Sequence, residues 1–268
     1  MFEIAIRDDL KISQDEMIFI AGPCAVESEE QLVETAKFLS RLGVKILRGG
    51  AYKPRTSPDN FQGLGEAGLK ILASAADQTG MAIVTEVMDT ENIGIVSRYS
   101  DILQVGSRNS QNFPLLKKLG RQKKPVLLKR GFGNTVDEFI NSSRYISRGG
   151  NRNIIMVERG IRTFETSTRF TLDVSAVPVI KEMVDYPVLI DPSHPAGKRQ
   201  LVQPLALAGI GSGSDGLMVE VHPSPESALS DREQQLDFQQ FEKLYRTSQS
   251  MFSFMRGQTF LEMEKRER

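Results

Sequence analysis

Apolar residues in this chain come in short dense runs that each break off into polar chemistry. Residues 17–24 (MIFIAGPC), 44–47, 81–85, 102–105, 125–128, 153–157, 187–190 and 216–219 all behave this way. Runs of this length, without alternation, are how strands buried on both faces of a parallel sheet read. Between them the apolar positions recur at helical spacing. The intervals predict helices from Ser28 to a stop at Gly43, then near 64–79, 90–99, 113–119, 135–147, 174–184 and 202–209, with a last one over 238–254. Residues 2–12 instead alternate apolar and polar around Asp8 and Asp9, the pattern of a small hairpin that would plug one end of the main fold.

Eight strand-helix units in strict alternation, with no Pro/Ser-rich linker, predict an α/β fold: a single (β/α)8 TIM barrel over 16–268. The N-terminal hairpin extension occupies 1–15, and no separate regulatory domain is expected. The tail EKRER reads as a solvated charged end. In a barrel of this type the chemistry gathers at the C-terminal ends of the strands. The most telling end is PVLIDPSHPAG, residues 187–197, where the apolar run gives way to Asp191, Pro192, Ser193 and His194.

Charge changes this picture by what it excludes. The 34 basic residues balance 34 acidic ones, so no global field draws the chain to nucleic acid or membrane, and anion recognition has to be local. No apolar run approaches the roughly 20 residues of a membrane-spanning helix, and the first residues lack the basic flank of a signal peptide. The expectation is a cytoplasmic protein. Cys24 is the lone cysteine, hence either a small buried hydrophobe or a reactive or ligating thiol.

Closing a barrel brings its first and last strands together, and with them Cys24, Glu220 and Asp231. His194 ends the neighbouring strand. A thiolate, an imidazole and two carboxylates suit one divalent metal ion among Mn2+, Zn2+, Fe2+ and Co2+. His222 rivals Glu220, since residues two apart share a face of a strand, and parity leaves both open. A second set is basic: Arg48, Lys53, Arg55, Arg108, Lys129, Arg159 and Arg162 all fall at or just beyond strand ends. Seven cations at one mouth imply two anionic ligands, or one with two anionic groups. Gly63, Gly65 and Gly68 mimic a dinucleotide fingerprint, with Glu86 at a suitable distance. A long loop separates them from the preceding strand, so they are expected to shape a loop and a helix start. GSGSDG, 211–216, reads as a flexible connection.

GPCAVES (22–28), KPRTSP (53–58), GSRN (106–109), KRG (129–131), ERGIRTFE (158–165), DPSHPAG (191–197) and EVHPSPESALSD (220–231), in this order, closely resemble the 3-deoxy-D-arabino-heptulosonate 7-phosphate (DAHP) synthases, in their compact microbial subgroup. The related 3-deoxy-manno-octulosonate 8-phosphate synthases share GPC and EVHP but carry a K-A-N-R-like stretch where this chain has Lys53-Pro54-Arg55-Thr56. The resemblance implies condensation of phosphoenolpyruvate with erythrose 4-phosphate, at the entry to aromatic amino acid synthesis. It implies Cys24, His194, Glu220 and Asp231 as metal ligands, which sets His222 aside. Arg48, Lys53, Ser107, Arg108, Lys129 and Arg159 would hold phosphoenolpyruvate, and Arg55 and Thr56 the aldose phosphate. Ser107 stands where many relatives carry alanine, and the backbone N–H is expected to do the binding there. Lys53 is the candidate proton donor; Glu86 or a metal-bound water would manage the proton of the attacking water. The resemblance further implies a homotetramer (or dimer). The lack of a regulatory segment in this reading implies insensitivity to phenylalanine, tyrosine and tryptophan. Three alternatives remain open: a 3-deoxy-manno-octulosonate 8-phosphate synthase using arabinose 5-phosphate, a Schiff-base aldolase acting through Lys129, and a non-catalytic barrel that senses a phosphorylated metabolite.

Overall fold

Parallel pairing closes eight strands on one another: β3 (Ile18–Gly22), β4 (Ile46–Arg48), β5 (Ala82–Glu86), β6 (Ile102–Val105), β7 (Val126–Lys129), β8 (Ile154–Glu158), β9 (Val188–Ile190) and β10 (Gly216–Glu220), with β10 returning to pair with β3. This computed structural model describes residues 2–55 and 57–266. The outer ring comprises α1 (Glu29–Leu42), α2 (Glu66–Thr79), α3 (Ile93–Tyr99), α4 (Phe113–Leu119), α5 (Val136–Ser147), α6 (Ala176–Met183) and α8 (Arg199–Gly211). A short turn of helix, α7 (Ser193–Ala196), follows β9, and α9 (Phe238–Arg266) ends the described chain. Ser28 caps α1 as expected, its side chain accepting from the Gln31 N–H, and Gly43 closes the helix in the left-handed conformation.

Alternation along each strand sorts its side chains into two cores. Phe19, Ala21, Leu47, Ile83, Leu103, Leu128, Met156, Ile190 and Val219 face outward and pack under the helices. Ile18, Ile20, Ile46, Val84, Ile102, Leu127, Val157, Leu189 and Met218 fill the barrel interior. The hairpin, β1 (Glu3–Arg7) and β2 (Leu10–Ser13), adds Ile4, Ile6 and Ile12 to that inner cluster. Arg7 donates to the carbonyls of Gly80 (2.8 Å) and Met81 (3.3 Å), immediately before β5, which places the hairpin across the N-terminal mouth as a plug.

The consequence appears at the opposite mouth. Two residues beyond the last inward apolar side chain come Arg48 after Ile46, Glu86 after Val84, Gln104 after Ile102, Lys129 after Leu127, Arg159 after Val157, Asp191 after Leu189 and Glu220 after Met218. The hydrophobic interior thus ends in a polar layer whose members are aimed by strand parity rather than by loop conformation.

Two expectations change in detail and a third holds. The last helix runs on to Arg266, past the predicted end at Phe254, so the start of the EKRER tail is helical in its backbone. The GSGSDG connection is a pinned turn: Asp215 is buried, accepts from Val188 N–H (2.9 Å) and pairs with Lys181 (2.7 Å). The glycine triplet shapes the approach to α2, as expected, with Gly65 as its N-cap residue.

Candidate active site

The polar layer forms the floor of a cavity of about 380 Å3. All seven basic residues expected at the mouth line it: Arg48, Lys53, Arg55, Arg108, Lys129, Arg159 and Arg162, together with Ser107, Glu86, His194 and Asp231. Thr56, assigned by resemblance to the same site, lies outside the described residues. Arg169, also in the wall, was not expected.

Backbone crowding explains two of the glycine motifs. Gly22, at φ +148°, has its Cα so close to β4 that a Cβ would sit 2.1 Å from the Arg48 carbonyl oxygen, which lets the GPC segment turn Cys24 over the barrel mouth. Gly106 has an ordinary φ, but a Cβ there would lie 2.0 Å from Oε1 of Glu86. The Gly106–Ser107–Arg108 stretch therefore passes directly over the Glu86 carboxylate.

The candidate ligands fall into a trio and a neighbour. One ligand atom each of Cys24, Glu220 and Asp231 lies within 4.8 Å of the others. His194 is not part of that trio, but its Nε2 is 3.5 Å from Oε1 of Glu220. His222 is elsewhere: its Nδ1 accepts from the Ser224 N–H (3.0 Å) and its Nε2 faces Glu27 (3.5 Å). Asp231 is the one non-glycine residue at positive φ (50°) among the described residues, a conformation that costs on the order of 1 kcal/mol and persists where the surroundings enforce it.

Several observations show that these residues fit a divalent cation. Oε1 of Glu220 is fully buried and accepts no hydrogen bond, its cationic neighbour being Arg48 Nη2 at 3.3 Å. Burial, with Glu220 adding to it, pushes the Cys24 thiol up to about 12, so without a cation the sulfur keeps its proton at neutral pH. A bound cation would reverse that preference. Burial lowers the His194 imidazole below its ordinary value against the opposing pull of Asp191, which leaves the ring neutral. Asp191 Oδ2 lies 2.6 Å from Nδ1 and favours the tautomer protonated there, leaving Nε2 as a lone-pair donor.

The cations are held apart by different means. Lys129 sits 2.5 Å from Asp191 Oδ2; burial opposes the charge on Asp191, but His194 and Lys129 outweigh it and hold that carboxyl well below its usual range. Lys53 Nζ is 2.9 Å from the Cys24 carbonyl oxygen and 3.0 Å from its sulfur. Burial pulls its ammonium down, yet Cys24 and Glu220 together hold it above its ordinary value. Arg159 rests on two stacked rings, 4.1 Å from the Phe170 centroid and 4.9 Å from that of Phe132, and burial brings its guanidinium down to about 10, still charged at neutral pH. Arg108 and Arg162 lie over the same Phe132 ring at 5.6 and 5.3 Å. Cation–π contact positions these guanidiniums without neutralising them. Glu86 is raised by burial against the pull of Lys53 and Lys129.

Beneath this layer, Arg130 bridges Glu158 and Asp173, each at 2.8 Å, while Glu158 accepts from the Gly160 N–H (2.6 Å). This buried network fixes the backbone on either side of Arg159. Sequence reasoning missed it, along with Arg169, Phe132 and Phe170, and placed Asp191 at the mouth without giving it a role. Asp191 and the two rings stood in motifs already singled out or adjoining them, but nothing in their spacing distinguishes support from solvation.

A barrel carrying soft and hard metal donors beside eight cations in one mouth matches known proteins in detail. The DAHP synthetase I family model matches residues 1–256. A Thermotoga maritima protein called phospho-2-dehydro-3-deoxyheptonate aldolase is 58% identical over 236 residues, 88% of this chain and 70% of its own length. The crystal structure of a DAHP synthase from Thermotoga maritima superposes with a TM-score of 0.91 at 53% identity, covering 95% of this chain and 74% of that one. A truncated form of the Thermotoga maritima synthase gives a TM-score of 0.88 at 51% identity, covering 95% and 93%. More distant, a 2-dehydro-3-deoxyphosphooctonate aldolase of Syntrophotalea carbinolica is 30% identical over 90% of this chain and 92% of its own length. With the motifs in order, the barrel closed and the family model spanning nearly its whole length, this chain belongs to the DAHP synthetase I family.

Proposed function

We propose that this protein is a DAHP synthase (3-deoxy-7-phosphoheptulonate synthase). It condenses phosphoenolpyruvate with erythrose 4-phosphate to 3-deoxy-D-arabino-heptulosonate 7-phosphate and phosphate, the first step of the shikimate pathway and so of aromatic amino acid biosynthesis. The observation that carries this reading is that Asp231 belongs both to the wall of the cation-lined cavity, beside His194, and to the Cys24, Glu220 and Asp231 donor trio, so the anion site and the metal donors adjoin.

Cys24, Glu220, Asp231 and His194 would hold one divalent cation, Mn2+, Zn2+, Fe2+ or Co2+, which when bound supplies a Lewis acid for the aldehyde oxygen. Arg48, Lys53, Arg108, Lys129 and Arg159, with the backbone at Ser107, hold the phosphate and carboxylate of phosphoenolpyruvate. Arg55, with Thr56, takes the phosphate of the aldose. Held in this way, C3 of the enol attacks the aldehyde carbon, and Lys53 delivers a proton to the oxygen that becomes hydroxyl. Water adds at C2, its proton passing to Glu86, whose carboxyl burial raises above its ordinary value, the direction that favours taking up a proton. The phosphohemiketal then loses phosphate by C–O cleavage and leaves the 2-keto acid. Both substrates are water-soluble, and among the described residues no helix is long and apolar enough to cross a membrane. We therefore propose a cytoplasmic enzyme, assembled as a homotetramer as the family resemblance implies.

The test is phosphate release from phosphoenolpyruvate with erythrose 4-phosphate or arabinose 5-phosphate as acceptor, with and without a chelator. Turnover with erythrose 4-phosphate that the chelator abolishes is expected. Preference for arabinose 5-phosphate would reassign the acceptor, and a borohydride-trapped adduct at Lys129 would reassign the chemistry.

A further inference from the structure

Each carboxylate of the candidate metal trio has two oxygens, and the structure uses them differently. Oδ2 of Asp231 faces Cys24 at 3.1 Å from Sγ, while Oδ1 accepts from Arg169 Nη1 at 3.0 Å. Oε1 of Glu220 is the buried atom that accepts no hydrogen bond, while Oε2 accepts from Gln234 Nε2 at 2.7 Å. The two outer oxygens are joined to each other, because the same Arg169 Nη1 also donates to Gln234 Oε1 at 2.9 Å. A continuous bridge, Glu220–Gln234–Arg169–Asp231, therefore holds one oxygen of each carboxylate and leaves Oδ2 of Asp231 facing the cysteine and Oε1 of Glu220 facing His194.

We propose that Gln234 and Arg169 are positioning residues that set the spacing and orientation of the Glu220 and Asp231 carboxylates for a divalent cation. This inference rests on the metal site argued above and adds to it a support outside the ligand set. The Gln234 amide donates to one partner and accepts from the other, which an aliphatic side chain cannot do, and it is 2% exposed, so water does not substitute for it. Its neighbour Gln235 does similar service for the third ligand, accepting from the Cys24 N–H at 3.0 Å. Arg169 brings in a separate part of the fold. It lies in the loop that leaves β8 after Arg159, and the next residue, Phe170, donates its N–H to the Pro195 carbonyl (3.2 Å), in the turn that carries His194. The loop that presents Arg159 and Arg162 to anions is thereby tied to one oxygen of Asp231.

Partners that orient metal ligands from outside typically cost about 10- to 100-fold in affinity when removed. The experiment is titration of the metal-free full chain with Co2+, read by the thiolate-to-cobalt charge-transfer band and by the ligand-field absorption, which reports coordination geometry independently of turnover. Arg169→Met and Gln234→Leu are each expected to weaken Co2+ binding about 10- to 100-fold and to alter the ligand-field spectrum, with Arg169→Lys recovering part of the loss. Wild-type affinity and an unchanged spectrum in Arg169→Met would overturn the proposal even if Gln234→Leu failed to fold. A wild-type chain that takes up no Co2+ would overturn the metal site first and this inference with it, so the two failures are distinguishable.

Discussion

One added methyl group tests whether the polar layer is as tightly set as its geometry requires. In Gly106→Ala the backbone is not the obstacle, because Gly106 has φ −71° and ψ 160°, where alanine is at ease. The obstacle is Glu86, whose Oε1 would lie 2.0 Å, Cδ 2.7 Å and Oε2 3.1 Å from the new Cβ. Restoring ordinary contact near 3.4 Å moves the carboxylate by about 1.4 Å. Its hydrogen bond from Gln104 Nε2, at 3.3 Å, does not survive that shift, a loss of about 1.5–3 kcal/mol for a bond to a charged group. The gain from a less flexible unfolded chain is only about 0.4–1 kcal/mol, so net destabilisation follows. A misplacement of this size also costs about 100-fold in turnover. Urea unfolding and steady-state phosphate release on Gly106→Ala, Glu86→Ala and the double variant close a cycle. Since the alanine at 86 removes the clashing atoms, the second methyl should then cost almost nothing in stability, giving a coupling energy above about 1 kcal/mol. Strict additivity of the two unfolding energies would refute the claim that this glycine exists to admit the Glu86 carboxylate.

Other expectations follow from the same contacts. Cys24→Ala should abolish turnover and uptake of a divalent cation while changing the unfolding free energy by less than about 2 kcal/mol; circular dichroism with a metal assay checks both halves, and full activity would remove Cys24 from the ligand set. Arg130→Met strands the buried Glu158 carboxylate and should cost about 3–5 kcal/mol in urea unfolding, with Glu158→Gln in the same chain restoring part of it. Burial opposes the charge on Asp173, but the Ser175 hydroxyl and Arg130 outweigh it and lower that carboxyl below its ordinary 3.8. Its contribution is present above that value and disappears as pH falls through the lowered one. The melting temperatures of wild type and Asp173→Asn should therefore differ at pH 6 and converge as pH falls through the lowered value.

Strand parity explains why so much of the site was legible in the sequence. Arg48, Lys129, Arg159 and Glu220 each follow an apolar run in the same phase as its inward residues, so a barrel once assigned points them into the mouth. Loops carry no such phase. Arg169 sits in a loop residue string, RTFETSTRF, where nothing separates it from the solvated arginines nearby. Gln234 and Gln235 are uncharged amides whose role depends on partners far away in sequence, Glu220 excepted. The short helix α7 was invisible because Ser-His-Pro-Ala is too brief to show periodicity, yet that turn is what brings His194 beside Asp191. Parity leaves Glu220 and His222 equivalent, but they differ in depth: Glu220 ends β10 inside the barrel mouth beside Cys24 and Asp231, whereas His222 turns back toward Glu27.

Charge balance within the cavity yields a last prediction that no single contact supplies. Its wall holds eight basic side chains, the seven expected ones and Arg169. Against them stand four carboxylates, Glu86, Asp191, Glu220 and Asp231, so a chain of zero net charge concentrates a surplus of four positive charges at one mouth. A divalent cation that displaces the Cys24 proton raises the surplus to about five. Two phosphomonoesters and one carboxylate bring about four to five negative charges at neutral pH. The loaded site is then close to neutral, and binding draws on the field of the whole cavity rather than on one ion pair. Inorganic sulfate should accordingly compete with both substrates, raising each KM while leaving kcat at saturation unchanged. A salt that does not bind, at equal ionic strength, should act more weakly, because the buried part of the cluster is little screened. If sulfate and such a salt raised KM equally, the cations would be acting as a diffuse surface patch, and the view that they form a built receptacle for two phosphates would fail.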